Sequence, residues 1–179
     1  MVALNYFVEQ TQIPLKDIAV VSPDAGGVTR AKNFQGLLTS VGVHDPTLAM
    51  IIKQRVKAGK IGSMHMVGSV EGKNVIIVDD IIDTGGTLCE ATRVMKEQGA
   101  LSVSAFATHG LFSGNALENI RKSRLDQVIV TNSIPPKEGE EELSEGKIKR
   151  LSLAPILAEA IFRIQTRTSI SSLFSIPKT

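Results

Sequence analysis

The run Asn74-Val75-Ile76-Ile77-Val78-Asp79-Asp80-Ile81-Ile82-Asp83-Thr84-Gly85-Gly86-Thr87 constrains the chain more than any other stretch. Val75 to Val78 are four β-favouring apolar residues, too few for a helix. They read as a strand buried on both faces, as in a parallel sheet. Asp83 to Thr87 form a turn rich in Gly and hydroxyls, and Leu88, Ala91, Val94 and Met95 then recur at helical spacing. The first amides of a helix have no internal partner and point back at the loop. Two glycines let the backbone curl so that several N–H groups converge on one anion. Thr84 and Thr87 add hydroxyl donors, and a phosphate monoester fits such a place. Asp79 and Asp80 fall at the carboxyl end of the strand, the edge where open α/β sheets bind ligands. Side chains alternate along a strand, so both acids need not face the ligand. Two acids beside a phosphate cradle suit a ligand that also carries hydroxyls, such as a ribose, or that brings Mg²⁺.

A second strand–loop–helix unit precedes this one. Asp17 to Val21 read as a buried strand, Ser22-Pro23-Asp24-Ala25-Gly26-Gly27 as a turn, and Val28 to Leu38 as a helix. Gly26 and Gly27 permit close backbone approach to an anion. Asp24 can ligate a hard cation that the anion brings along, and Arg30, one turn in, adds charge. Two anion loops on one sheet edge point to a ligand with phosphates at two ends.

Between these units, Thr47 to Ile52 is a strand and Lys53 to Gly62 a basic, mobile loop. Lys53-Gln54-Arg55-Val56-Lys57-Ala58-Gly59-Lys60 places four cations in eight residues. That is either a solvated loop or a lid over a triphosphate, in which Lys supplies a compact charge and Arg a bidentate fork. Farther on, Met64 to Val70 reads as a short strand and Val103 to Thr108 as another. A helix from about Asn115 to Lys122 has Ser113 as its cap. Gln127 to Thr131 is a strand and Ile148 to Leu151 an edge strand. In the helix Leu153 to Gln165, the residues Leu153, Ile156, Leu157, Ala160, Ile161 and Ile164 are spaced for burial. The acidic run Glu138, Glu140, Glu141, Glu142 and Glu145, in a loop from Pro135 to Gly146, reads as a solvated surface. His109, after a strand, reads as a hydrogen-bonding structural residue.

Strands alternating with helices imply an α/β protein with a doubly wound, mostly parallel sheet flanked by helices. At 179 residues, 1–179 is expected to be a single domain. A net charge of +2 is too small to imply nucleic acid. No apolar run is long enough to span a membrane. Cys89, the lone cysteine, excludes an internal disulfide and reads as a buried thiol, with a cytoplasmic location expected.

Val75 to Thr87 resembles the ribose-phosphate-binding signature of the type I phosphoribosyltransferase fold. Ser22 to Ala31 resembles the diphosphate-binding loop of ribose-phosphate diphosphokinases, which make phosphoribosyl diphosphate (PRPP). Lys53-x-Arg55 with Ala58-Gly59 resembles their catalytic flexible loop. The similarity continues through Ala107 to Ala116, Thr131 to Pro135 and Leu151 to Ile161, and runs from about Tyr6 to Phe174. Members of that family resemble two tandem copies of the fold, and this chain resembles the carboxyl-terminal copy. The resemblance implies transfer of the β,γ-diphosphoryl group of MgATP to the C1 hydroxyl of ribose 5-phosphate. It places the 5-phosphate on Asp83, Thr84, Gly85, Gly86 and Thr87, and the ribose hydroxyls on Asp79 and Asp80. Asp24, Ala25, Gly26 and Gly27 would bind the diphosphate of ATP. Lys53 and Arg55 would be catalytic, and Mg²⁺ would be held by Asp24, Asp79 and Asp80. ATP, ribose 5-phosphate and further copies in a homo-oligomer are the implied partners, with no nucleic acid and no membrane. The tail 166–179, apolar from Ile170 to Phe174, is expected to pack on the other copy of the fold. Two rival readings are a transferase that consumes PRPP, for which no base-recognising hood is evident, and a non-catalytic regulatory subunit, against which Lys53 and Arg55 argue.

Overall fold

A computed structural model describes residues 2–10, 16–57 and 60–173. Seven strands form one sheet: β1 (Ile18–Ser22), β2 (Thr47–Lys57), β3 (Lys60–Val67), β4 (Asn74–Ile82), β5 (Ser102–Gly110), β6 (Gln127–Thr131) and β7 (Ile148–Leu151). Their order is β3-β2-β1-β4-β5-β6-β7. Every pair is parallel except β2 with β3. The mostly parallel sheet predicted from the alternation of strands and helices is therefore the one observed.

Both faces of the central strands are covered, which is why their sequences are apolar without alternation. Ala19, Val21, Val75 and Ile77 pack into one core with α3 (Gly86–Glu97) and α4 (Ala116–Lys122), through Leu88, Ala91, Met95, Leu117 and Ile120. Ile18, Val20, Ile76 and Val78 pack into the other with the short amino-terminal helix α1 (Val2–Asn5) and α2 (Val28–Ser40), through Leu4, Ala31, Phe34 and Leu38. The sheet grows outward from β1 in one direction through β2 and in the other through β4. The loops leaving β1 and β4 consequently run to helices on opposite faces and open a crevice between them, the usual ligand position in such sheets.

Four expectations are corrected. The stretch from Lys53 is strand, not loop: β2 continues to Lys57 and pairs antiparallel with β3 from Lys60, with register shifts beside Arg55. Antiparallel pairing satisfies backbone groups whatever the side-chain charge, so a basic sequence does not exclude it. Ser113 does not cap α4 with its hydroxyl; Asn115 is the N-cap, and the Ala116 amide donates to the Ser113 carbonyl. The acidic run holds a single helical turn, α5 (Glu140–Leu143), and Glu140 is buried there against Arg150. Finally, α6 (Ala154–Gln165) forms as predicted, but no residue in it is buried. Leu157, Ile161, Phe162 and Ile164 are each more than half exposed. Spacing reports an apolar stripe; it does not report whether the described chain supplies a covering element.

Candidate functional site

The crevice between β1 and β4 is a cavity of about 270 Å³, close to the lower end of ligand-sized cavities of about 300 Å³. Pro23 and Asp24 line it from the β1 loop. Asp79, Asp80, Asp83, Thr84, Gly85 and Thr87 line it from β4 and the loop after it. Ile77, Ile81, Ile82, Leu88, Ala105 and Phe106 make its apolar walls.

The β4 loop has the geometry that its composition requires. Gly85 is the N-cap of α3 at φ +71°, a left-handed conformation that glycine adopts without steric cost. No side chain caps α3, so its first amides remain directed at the loop. Gly86 differs from its neighbour: it lies on the groove between α3 and α4, beside Cys89, Glu90 and Asn119, rather than on the cavity wall. Asn119 was not foreseen. Its side-chain amide donates to the Thr84 carbonyl at 3.3 Å, tying α4 to the loop. No spacing in the sequence connects residues 35 positions apart, so this contact had no readable signal.

The β1 loop is narrower. The Gly27 amide donates to Asp24 Oδ1 at 3.0 Å, and the Ser22 hydroxyl donates to the Asp24 carbonyl at 2.6 Å. Ala25, Gly26 and Gly27 carry the turn into α2 behind Asp24 and do not line the cavity. A Cβ on Gly27 would stand 2.7 Å from the Ser22 hydroxyl oxygen and 3.1 Å from Arg30 Nη1, so a larger residue there would displace those two side chains. The space is used by Arg30, which crosses from α2 and places Nη1 3.0 Å from Asp79 Oδ1 and Nη2 3.0 Å from Asp80 Oδ2. Arg30 was expected to add charge to the β1 loop. It braces the two acids of β4 instead.

Those acids titrate apart. Burial, above all, pushes Asp79 up to about 6; the hydrogen bond and negative charge of Asp80 add to this, and the Asp80 amide and Arg30 oppose it. Burial also pulls Asp80 upward, but its hydrogen bond with Asp79, the charge of Arg30 and two backbone amides outweigh that and hold it below the ordinary carboxylate range. The sign follows from linkage. Between the ordinary Asp value and about 6 the folded chain binds the Asp79 proton and the unfolded chain does not, so this group destabilises the fold as pH rises through that window. Asp80 acts in the opposite sense, and only at lower pH. Asp79→Asn removes the first effect. Melting curves should therefore favour the variant over the parent more at pH 7 than at pH 4.5, and a difference independent of pH would refute the shift.

Among the described residues no group of three or more His, Cys, Asp or Glu side chains is placed to hold a metal. Asp24, Asp79 and Asp80 nevertheless share the cavity wall. Mg²⁺ usually takes one or two carboxylates and completes its shell with phosphate and water, so this oxygen donor set fits such an ion arriving with its ligand. Lys53 and Arg55 lie on β2, paired with Met64 and Ile61 of β3; their side chains lie outside the described residues. His109 Nδ1 is 2.9 Å from the Ser133 hydroxyl, the structural partner expected of it. The Cys89 thiol is raised by burial, and a Ser123 hydrogen bond and Lys147 oppose the rise.

Known proteins share this arrangement. The chain is 48% identical over 161 residues to a ribose-phosphate pyrophosphokinase of Vibrio cholerae, covering 90% of this chain and 49% of the relative. It is 46% identical over 161 residues to the pyrophosphokinase of Haemophilus influenzae, with the same coverage of 90% and 49%. The chain thus spans about half the length of the curated relatives it matches. The crystal structure of phosphoribosylpyrophosphate synthetase from Mycobacterium smegmatis superposes with a TM-score of 0.76 at 34% identity, covering 92% of this chain and 50% of that one. The doubly wound, mostly parallel sheet flanked by helices that the sequence implies is the architecture this synthetase structure shares. A family model described as the phosphoribosyl synthetase-associated domain matches residues 23–175, and the chain belongs to that family.

Proposed function

We propose that this chain is the catalytic half of a ribose-phosphate diphosphokinase. The observation that carries the reading is the meeting of two loops on one cavity, Asp24 from β1 and Asp83, Thr84, Gly85 and Thr87 from β4. A sugar phosphate between them has a cradle for its phosphate at one end and a second acidic loop at the other. Relatives at 46–48% identity named ribose-phosphate pyrophosphokinase support the same choice.

In this reading the loop Asp83 to Thr87 holds the 5-phosphate with amides and hydroxyls, and Asp79 and Asp80 accept the ribose hydroxyls. The turn Asp24 to Gly27 binds the diphosphate of ATP. The C1 hydroxyl oxygen bonds to the β-phosphorus of ATP as the bond from that phosphorus to the α,β-bridging oxygen breaks. AMP leaves and the hydroxyl proton passes to solvent. Lys53 and Arg55 stabilise the charge that grows on the phosphoryl oxygens. Mg²⁺, when bound, supplies charge neutralisation on the phosphates, with Asp24, Asp79 and Asp80 as its protein ligands. Positioning and charge stabilisation do the remaining work, with no covalent intermediate. The exposed face of α6 is a surface for the other half of the longer relatives, as is the tail 166–179, of which 174–179 lie outside the described residues, and the working form is a cytoplasmic homo-oligomer.

Titration of the chain with ribose 5-phosphate tests the first part. Binding is expected in the chain alone, because the cradle is complete within β4 and α3. Thr84→Val should weaken it by about 10- to 150-fold, as loss of a hydrogen bond to a charged group costs about 1.5–3 kcal/mol. Release of AMP from ATP and ribose 5-phosphate, measured with and without the amino-terminal half of a longer relative, tests the second. Consumption of PRPP with a free base, or no binding of ribose 5-phosphate, would overturn the reading.

A further inference from the structure

Behind the β4 loop lies a buried ion pair that the proposed reaction does not use. Glu140 is 7% exposed. Its two carboxylate oxygens accept from Arg150 Nε and Nη2, each at 2.7 Å. Arg150 Nη1 donates to the Ile134 carbonyl at 2.7 Å, and the guanidinium carbon sits 5.6 Å from the centre of the Phe112 ring. The Lys137 ammonium donates to the Phe112 carbonyl at 2.6 Å, and the Lys137 amide donates to Glu140 at 3.3 Å. These contacts converge on Phe112, which is fully buried at φ +50°. A bulky residue stays in that conformation only where its surroundings over-determine it.

Phe112 and its neighbours grip the start of the phosphate loop. The Leu111 and Phe112 amides donate to the Ile82 carbonyl at 2.9 and 3.2 Å, and the Ser113 amide donates to the Asp83 carbonyl at 3.1 Å. Those carbonyls belong to the last residue of β4 and the first of the loop, directly before the amides of Thr84 and Gly85. We infer that Glu140 and Arg150 are positioning residues, a buried charged buttress that fixes Phe112 and through it the backbone of the phosphate loop. This rests on the reading of Asp83 to Thr87 as a phosphate cradle.

The test replaces both charges together, because removing one would strand the other. Glu140→Met/Arg150→Met exchanges the pair for apolar side chains of comparable length. Its melting temperature should stay near that of the parent, while ribose 5-phosphate affinity falls about tenfold through misalignment of the loop. Hydrogen exchange at the Leu111, Phe112 and Ser113 amides should quicken. Lys137→Met, which removes only the bond to the Phe112 carbonyl, should shift affinity and exchange in the same direction and serves if the double variant does not fold. Arg150→Lys, which keeps the charge and loses the fork, should not restore affinity. Unchanged affinity and exchange in the folded variants would overturn the inference. If the parent itself fails to bind ribose 5-phosphate, the cradle reading fails, and exchange at the three amides still decides whether the buttress holds the loop.

Discussion

Alanine at both Lys53 and Arg55 should reduce AMP formation from ATP and ribose 5-phosphate by at least about 10³-fold, because each cation is assigned to charge that exists only in the transition state. Ribose 5-phosphate affinity should stay within about twofold of the parent, since an interaction absent from the ground state does not contribute to binding. The split between rate and affinity is the diagnostic. The expectation is sharpened by where the two residues lie. They belong to a paired strand of an antiparallel hairpin rather than to a free loop, and the register shifts on either side of Arg55 break the regular ladder there. A fall in melting temperature would therefore signal damage to the hairpin and would be visible separately. Steady-state rates, taken with the amino-terminal half of a longer relative supplied, decide the matter. Activity retained within about tenfold would remove Lys53 and Arg55 from the mechanism and return the stretch to the solvated reading.

What the sequence disclosed and what it hid divide along a physical line. Elements whose identity rests on local chemistry were legible. Val75 to Val78 and Ile18 to Val21 are apolar without interruption because both faces of β4 and β1 are covered. Gly85 and Gly86 together announce a tight turn, the structure placing the positive φ at Gly85, and Leu88, Ala91, Val94 and Met95 announce the buried face of α3. Because those strands and loops are parallel neighbours, the meeting of Asp24 with Asp83, Thr84, Gly85 and Thr87 could be inferred from topology. Properties that depend on distant partners were not legible. Glu140 reads as one acid among five until Arg150, ten residues on and in another element, is brought beside it. Arg30 reads as added charge beside the β1 loop until its reach to Asp79 and Asp80 is seen. The exposed stripe of α6 is the same limitation from the other side: an apolar face specifies that something should cover it, not that the described chain does.

The two adjacent glycines of the β4 loop should respond to substitution in opposite ways. Gly85 sits at φ +71°, and its carbonyl accepts the Cys89 amide at 2.9 Å, so it sets the first turn of α3. A β-branched residue there strains the backbone by about 2 kcal/mol. For a chain of this size that lowers the melting temperature by about 4–8 °C. Relief of the strain must rotate the peptide that follows, which turns amides away from the cavity, so Gly85→Val should also weaken ribose 5-phosphate binding by about 100-fold. Gly86 already lies in the helix, and a Cβ built on it meets nothing closer than the Thr84 hydroxyl oxygen at 4.0 Å. Alanine is the better helix former by as much as about 1 kcal/mol, so Gly86→Ala should melt at or above the parent temperature. The new methyl would border the α3–α4 groove, not the cavity, and affinity should hold within about threefold. If Gly86→Ala instead lost ribose 5-phosphate while keeping its stability, the anion would have to approach from the groove side. The cradle would then be built on the outer face of the loop, and Asp79 and Asp80 could not share its ligand.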